Sequence, residues 1–450
     1  MANSEENKVT PSEQSTQGQG SSSHSGHSHS GGHRSHRRHR RPLRRRIQRW
    51  LDKKFGKHST LVVNLFAVFV SILVIAAMIL VGVVANSRHT AGGQETETEF
   101  EAPSYTKDVD EIEMELPYFD EEVVIISEAA DIYLNANGQT DINDIVDRYD
   151  SSRRLDIGEP VSLKFDFPSL PEDLAKRNVF VQVSETADFA QYRQWTAGLR
   201  RQNVEVYNLK TGTTYFYRIG FEGTSQFIQG SFTTADTRRF MNVAGAVNVR
   251  DIGGIRVSGG KAIKQGLLYR GSELDGAIEG AFQLKYEGLD TMLNVMNIKT
   301  EMDLRSSADN AFATEPLGKS VLHKYYNAPQ YEEVFTEPGK AIIRTIFADL
   351  AKKENYPIYL HCTYGLDRTG TICYLLEALL GADEADLIRD YELSALHHNH
   401  ASSASLEPMV AALKKTYEGN DLTEKVESFL LSVGVTAEEI ASIREIFLGA

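Results

Sequence analysis

Pro357-Ile-Tyr-Leu-His361 is a short apolar run, followed by a glycine-containing loop that opens directly into the helix-forming stretch Thr369–Leu380. That order of strand, loop and helix constrains this chain more than any other feature. It predicts that Cys362 stands at the carboxyl end of a strand and below a helix N-terminus, within an α/β domain. The same alternation recurs from Phe240 to the C-terminus. Strands are expected at Gly266–Arg270, Ile298–Leu304 and Val321–Tyr326, and helices near Leu284–Val295 and Lys340–Lys352. In the second of these helices Ile342, Ile343, Ile346, Phe347 and Leu350 share one face. Leu422–Val433 and Ala437–Phe447 also repeat apolar residues at three- and four-residue intervals. Residues 237–450 are therefore expected to form a largely parallel central sheet flanked by helices.

Five residues separate Cys362 from Arg368, enough to wrap a loop whose backbone N–H groups converge on one phosphate. Cys362 is expected to attack phosphorus as the thiolate. Arg368 offers a planar fork for two phosphate oxygens. Asp367 can protonate the leaving oxygen and then activate the hydrolytic water. Thr369 can hydrogen-bond the sulfur, Gly365 lets the loop turn, and Gly370 lets the helix start pack closely. Thr363, Tyr364, Gly365 and Leu366 complete the expected substrate-binding loop. A bare Cys-x5-Arg spacing has a plain alternative, a structural thiol and a surface arginine. The preceding His361, the following Thr369-Gly370 and the strand–loop–helix context argue against it. The chemistry requires no metal or other cofactor. The histidine tract His24–His33 reads as flexible chain, and Asp131–Asp147 lacks the glycine and terminal glutamate of a calcium loop.

The segment His361-Cys-Thr-Tyr-Gly-Leu-Asp-Arg-Thr-Gly370 resembles the bacterial tyrosine phosphatases whose loop reads His-Cys-x-x-Gly-x-Asp-Arg-Thr-Gly, among them secreted mycobacterial and listerial enzymes. Asn248-Val-Arg-Asp-Ile-Gly-Gly254, Gly266–Ser272 and Asp303-Leu-Arg-Ser306 are similar to that family's other motifs, and Asp390–Ser394 to a helix after the loop. The resemblance covers roughly residues 240–449 and implies Cys362 as nucleophile, Arg368 as phosphate ligand and Asp367 as acid. Arg250 and Asp251, on a loop at a strand end, are expected to line the same site. Asp303 and Arg305 fit a structural ion pair. Many relatives carry lysine where this chain has Leu366, a lysine that favours multiply phosphorylated or lipid substrates. The expected substrate is therefore a phosphorylated protein, through phosphotyrosine, or a small phosphate monoester. An inositol phosphate or phosphoinositide phosphatase is the first alternative, and a catalytically silent adhesin the second.

Charge and hydropathy divide the remaining chain. Residues 1–58 hold 13 Lys+Arg against four acids, Ser59–Ala85 carries no charge, and residues 86–450 hold 35 basic and 58 acidic groups. The apolar run Leu61–Ala85, 25 residues interrupted by Asn64 and Ser71, exceeds the ~20 that cross a bilayer. This pattern predicts a single-pass membrane protein with a disordered basic cytoplasmic tail (1–58) close to anionic lipids, a transmembrane helix (59–85) and an extracytoplasmic body. It does not fit a nucleic-acid binder. An acidic stalk (86–122) and a β-sandwich region (123–236) would follow. Val161–Phe167, Val179–Val183, Val204–Tyr207 and Thr214–Ile219 alternate as strands do, and Asn208–Ile219 closing with Gly230–Thr234 resembles a fibronectin type III domain. Cys362 and Cys373 are the two cysteines, and Cys373, inside the expected helix, reads as a small core side chain.

Overall fold

Alternating burial marks the strands of the N-terminal part. The computed structural model describes residues 117–449 apart from 119, 137–139, 168–169, 226, 278–281, 310–314 and 398–399. Strands β1 (Glu121–Val123), β2 (Val161–Lys164), β3 (Val179–Ser184), β4 (Arg193–Ala197), β5 (Asn203–Val206), β6 (Thr214–Phe221) and β7 (Phe227–Thr234) form two sheets. One has the order β1-β7-β6-β3-β4 and the other pairs β2 with β5. Val161, Leu163, Val179, Val181, Val204, Val206, Tyr217, Ile219 and Phe232 point from both sheets into one core. The Tyr215 hydroxyl accepts the Lys210 N–H at 2.8 Å, which ties the turn before β6 to that strand.

Two short helices, α1 (Glu128–Asn135) and α2 (Ile142–Val146), lie between β1 and β2. Ser127 caps the first through the Ala130 N–H, and Asp141 caps the second through Asn143 N–H. The sequence reading places this stretch in the sandwich region. Its apolar face goes elsewhere: Ala129, Ala130, Tyr133, Ile142, Ile145 and Val146 pack in the core that also holds Cys362, Ile372 and Leu375.

The second sheet system follows the expected alternation. Strands β8 (Arg239–Phe240), β9 (Arg250–Asp251), β10 (Leu268–Gly271), β11 (Thr300–Asp303), β12 (Leu322–Tyr325) and β13 (Ile358–His361) lie in the order β12-β11-β13-β10-β9-β8. β12, β11, β13 and β10 are mutually parallel, and β9 and β8 add on antiparallel. β13 is central and every residue in it is buried, as a strand covered on both faces must be. The helices are α3 (Tyr286–Asp290), α4 (Glu337–Leu350), α5 (Asp367–Leu380), α6 (Glu384–Glu392), α7 (Glu407–Thr416), α8 (Leu422–Ser432) and α9 (Ala437–Leu448). Thr336 caps α4, which buries Ile343, Ile346, Phe347 and Leu350. Twelve of the fourteen residues of α5 are buried, so this helix runs through the middle of the fold directly after β13. The result is the mixed α/β architecture expected for the C-terminal half.

The membrane reading is corrected. Among the described residues no helix is long and apolar enough to cross a bilayer. The longest, α4 and α5, have 14 residues each, which at ~1.5 Å per residue falls short of a ~30 Å hydrocarbon core. The stretch 59–85, the basic tail and most of the stalk lie outside the described residues, and the single-pass assignment, its signal anchor and the membrane as partner are not retained.

The placement of α2 has a measurable consequence. Ile145→Ala removes a fully buried side chain from the core around Cys362, and should destabilise that core by about 2–5 kcal/mol. In a denaturant titration, Cys362 and Cys373 should become reactive to a thiol reagent at lower denaturant than in the wild type. Unchanged thiol protection would mean that α2 belongs energetically to the sandwich.

Candidate active site

The loop after β13 has its carbonyls fixed from behind. Asn248 Nδ2 donates to the carbonyls of Tyr364 and Gly365, both at 3.1 Å. Arg270 Nη2 donates to Gly365 O at 2.8 Å, and the Glu273 N–H donates to Thr363 O at 3.0 Å. Because each peptide is planar, turning the carbonyls outward turns the amides inward. Among the described residues, none of the N–H groups of Thr363, Tyr364, Gly365 and Leu366 donates to a protein acceptor. Buried amides are rarely left this way unless another acceptor completes them. Gly365 has φ +70°, and a Cβ there would lie 2.4 Å from Gly271 O, so glycine is required at this point.

A buried ion network supports the loop. Asp390 receives Arg250 Nε at 2.9 Å and Arg270 Nη1 on its other oxygen. Arg250 also reaches Asn248 Oδ1 and Ser394 Oγ, and the Asn248 N–H donates to Asp156. Burial pushes the Asp390 carboxyl up, but Arg250 and Arg270 reverse this and hold it well below the usual carboxylate range. Arg250 is thus completely buried behind the loop, where the sequence reading put it at the mouth. Asp251 is corrected likewise. Its carboxylate accepts the N–H groups of Gly253 and Gly266 and pairs with Arg239 Nη1 at 2.9 Å, on the far edge of the sheet. A strand of two residues sends both side chains into structure, where both are buried and paired with other protein groups.

The remaining expected residues surround the loop. Cys362 is buried at its base. Arg368 donates through Nη1 to Asp309 at 2.6 Å and through Nη2 to Thr363 Oγ1 at 3.4 Å. Burial raises the Asp309 carboxyl but its hydrogen bonds from Arg368 and Ser306 dominate, lowering it to about 2. Thr369 Oγ1 is buried with no hydrogen-bond partner among the described residues, and so does not bond the Cys362 sulfur here. Asp367, the first residue of α5, accepts a hydrogen bond from the Tyr331 hydroxyl. Tyr364 is 39% exposed at the rim. It meets the Phe282 ring edge-on at 5.5 Å and lies parallel to the His397 ring at 6.4 Å. Leu366, expected in the substrate-binding loop, is buried and packs in the main core.

Beneath the loop, His361 Nε2 lies 3.0 Å from Glu301 Oε1 and Nδ1 lies 3.1 Å from Cys362 O. Both partners are acceptors, so both ring nitrogens carry protons and the ring is an imidazolium. Burial alone would lower its pKa, but Asp303 and Glu301 raise it to about 9. Asp303 pairs with Arg305, which also bridges Glu273 and Asp275, as a structural ion cluster. Among the described residues no group of three or more His, Cys, Asp and Glu side chains is arranged to hold a metal ion.

Asp156, Asn248, Arg270, Asp309, Tyr331, Asp390 and His397 escaped functional assignment from the sequence. For Arg270 a signal existed, since an arginine in an otherwise apolar strand requires a buried partner. Asp156 and Tyr331 reach the site from distant segments and leave no local signature.

His361 makes stability depend on pH. Its folded value of about 9 exceeds the ordinary ~6.5 of an unfolded chain. The stabilisation is therefore complete below about pH 6.5 and is lost as pH rises through about 9, on the order of a few kcal/mol. Chemical denaturation of wild type and His361→Gln should show a gap that closes between about pH 6.5 and 9. A constant gap would show that the ring is neutral.

Residues 241–449 match the tyrosine phosphatase family. A tyrosine-protein phosphatase of Nostoc commune is 25% identical over 130 residues, covering 22% of this chain and 42% of the relative. A provisionally named tyrosine-protein phosphatase of Cupriavidus necator is 26% identical over 170 residues, covering 32% of this chain and 59% of the relative. The chain thus spans about half the length of these curated relatives. Among solved structures, the core catalytic domain of the PP-IP phosphatase SIW14 from S. cerevisiae is 13% identical with a TM-score of 0.26, over 36% of this chain and 86% of that one. The matched stretch 241–449 contains Cys362, Arg368 and the Arg250–Asp390–Arg270 cluster, and its likeness to the tyrosine phosphatase family supports a phosphatase.

Proposed function

We propose that residues 237–450 are a cysteine-dependent phosphatase of phosphate monoesters, with phosphotyrosine as the best-fitting substrate. The observation that carries this reading is the run of four consecutive loop amides, Thr363 to Leu366, that have no protein acceptor among the described residues and lie between Cys362 and Arg368 in the chain. Amides turned inward by such a loop can donate to the three equatorial oxygens of a phosphoryl group in transfer. Cys362 Sγ attacks phosphorus and the P–O bond to the leaving group breaks. The electron pair leaves on that oxygen, which takes a proton from Asp367. Asp367, now a carboxylate, takes a proton from water as the water attacks the thiophosphate. The S–P bond breaks and inorganic phosphate departs. Arg368 neutralises charge on the phosphoryl oxygens in both steps.

The rim supports an aryl ester. Tyr364 presents an exposed ring backed by Phe282 and His397, a wall against which a phenyl group can stack. An inositol polyphosphate needs further cations, and Leu366, at the position where related loops supply one, is buried in the core. The N-terminal sheets are read as a fibronectin type III-like arm, supported by their two-sheet order and the Tyr215–Lys210 bond before β6.

Cys362→Ser should abolish turnover of p-nitrophenyl phosphate while the protein still binds phosphate, because an alcohol in this setting does not attack. Appreciable activity in that variant would sink the cysteine mechanism. Tyr364→Ala should lower kcat/KM for a phosphotyrosine peptide relative to a phosphoserine peptide by about two- to tenfold, the worth of one aromatic contact. An unchanged ratio would remove the aryl wall from the substrate's path.

A further inference from the structure

Tyr331 is held to the start of α5 at two points. Its backbone N–H donates to Thr371 Oγ1 at 2.9 Å, and that hydroxyl donates to the Asp367 carbonyl at 2.9 Å. Its own hydroxyl donates to Asp367 Oδ1 and lies 2.7 Å from the Tyr391 hydroxyl. A phenol has one proton. With the acid proton of Asp367 on Oδ2, Oδ1 can only accept, so the Tyr331 proton goes to Oδ1 and Tyr391 donates to Tyr331. The Tyr331 backbone adopts φ +51°, a strained setting for a tyrosine. The structure retains it where Tyr331 closes onto α5. Tyr391 is placed with equal economy of space: a Cβ on Gly370 would come within 2.7 Å of its ring, so Gly370 admits the second phenol. Burial and the bonds to Asp367 and Tyr391 push the Tyr331 phenol far above its ordinary pKa, which keeps it a donor. Asp367 Oδ2 has no hydrogen-bond partner among the described residues.

We propose that Tyr331 is a positioning residue for proton transfer: its hydroxyl pins Asp367 Oδ1 so that Oδ2 is the oxygen that protonates the leaving group. This rests on the phosphatase reading above, with Asp367 as the acid. A swinging carboxyl delivers its proton in few of its orientations, and the two phenols remove that freedom before substrate arrives. In the first step Oδ2–H gives its proton to the ester oxygen as the Sγ–P bond forms and the P–O bond breaks. The negative charge left on Asp367 is then stabilised by the Tyr331 donor.

The test is a leaving-group series. Full-length wild type, Tyr331→Phe and Asp367→Asn are assayed on p-nitrophenyl phosphate, whose leaving group needs little protonation, and on phenyl phosphate, whose leaving group needs much. Thermal melting accompanies each variant. Tyr331→Phe should lower the ratio of kcat on phenyl phosphate to kcat on p-nitrophenyl phosphate by about tenfold, part of the ~10²–10⁴ that an acid supplies. Asp367→Asn should change that ratio in the same direction and further. In the double variant the ratio should equal that of Asp367→Asn alone, since Tyr331 acts through Asp367. Equal losses on both esters would mean that Tyr331 merely holds structure, and would overturn the proposal, as would an unchanged ratio. Should Tyr331→Phe melt out, Tyr391→Phe, which leaves the Tyr331–Asp367 bond but loosens its support, decides by the same ratio. A wild type without turnover on either ester would overturn the phosphatase reading itself, an outcome separate from an unaltered ratio in an active variant.

Discussion

The hydrogen bonds from Asn248, Arg270 and the Glu273 amide to the carbonyls of Thr363, Tyr364 and Gly365 set the direction of the Tyr364, Gly365 and Leu366 amides. A loop of this length has no ladder to organise it, and without those donors its carbonyls would compete for the space a phosphate occupies. The donors are themselves anchored. Arg270 and Arg250 share the buried Asp390 carboxylate, and Asn248 is held by Arg250 on one side and Asp156 on the other. In a site shut off from water, one acid between two guanidiniums is stable only while all three are present, since an unpaired buried charge costs about 3–5 kcal/mol. The loop's geometry is thus fixed by charges buried behind it.

That support extends beyond the matched stretch 241–449. Asp156 and helices α1 and α2 come from the sequence between β1 and β2, yet they pack with α5 and tie the back of the loop. The sandwich is joined at a second place. Arg239 donates to the carbonyls of Leu209 and Asn208, and Gln265 exchanges two hydrogen bonds with the backbone of Thr211. Asp251 holds that same Arg239. The turn before β6, fixed internally by Tyr215, is therefore fixed externally as well. This junction ties the turn before β6 to the α/β part through buried donors and acceptors that a flexible linker would leave unpaired.

Much of this was legible in the sequence where one local rule governs one local outcome. β13, the loop and α5 follow from an apolar run, a glycine and a helical face, and β10, β11 and β12 follow from short apolar runs between turns. Arg305 reads correctly as a structural ion pair for the same reason. Failures came where the partner is distant. The Asp- and Asn-rich composition of 131–147 concealed the apolar face formed by Ile142, Ile145 and Val146. β4 went unrecognised because an outer strand of Arg193, Gln194, Trp195 and Thr196 carries little apolar signal. For Arg250, Asp251 and Leu366 the residue type was informative but its direction was not. A one-residue change of phase in a strand or loop exchanges mouth for core. The apolar stretch 59–85 was judged on length and charge alone, and the helices of the described chain give a bilayer nothing long enough to span it.

Charge at the site is balanced in a way that sequence alone does not express. Arg368 and the His361 imidazolium are both cations close to Cys362, and each already has a carboxylate, Asp309 for the first and Glu301 for the second. The two pairs differ in burial, and this decides their roles. Glu301 and His361 are sealed beneath the loop, where no anion can replace the carboxylate, so that pair is permanent scaffolding. Asp309 and Arg368 are partly exposed at the rim, and Asp309 occupies only Nη1 of a guanidinium that has five N–H donors. The carboxylate holds the fork in one orientation, with Thr363 Oγ1 steadying the other nitrogen, while the remaining donors stay available. On the proposed reading, an incoming phosphate would meet an arginine whose rotamer freedom has already been lost to Asp309, so the entropy of ordering that long side chain would not oppose binding.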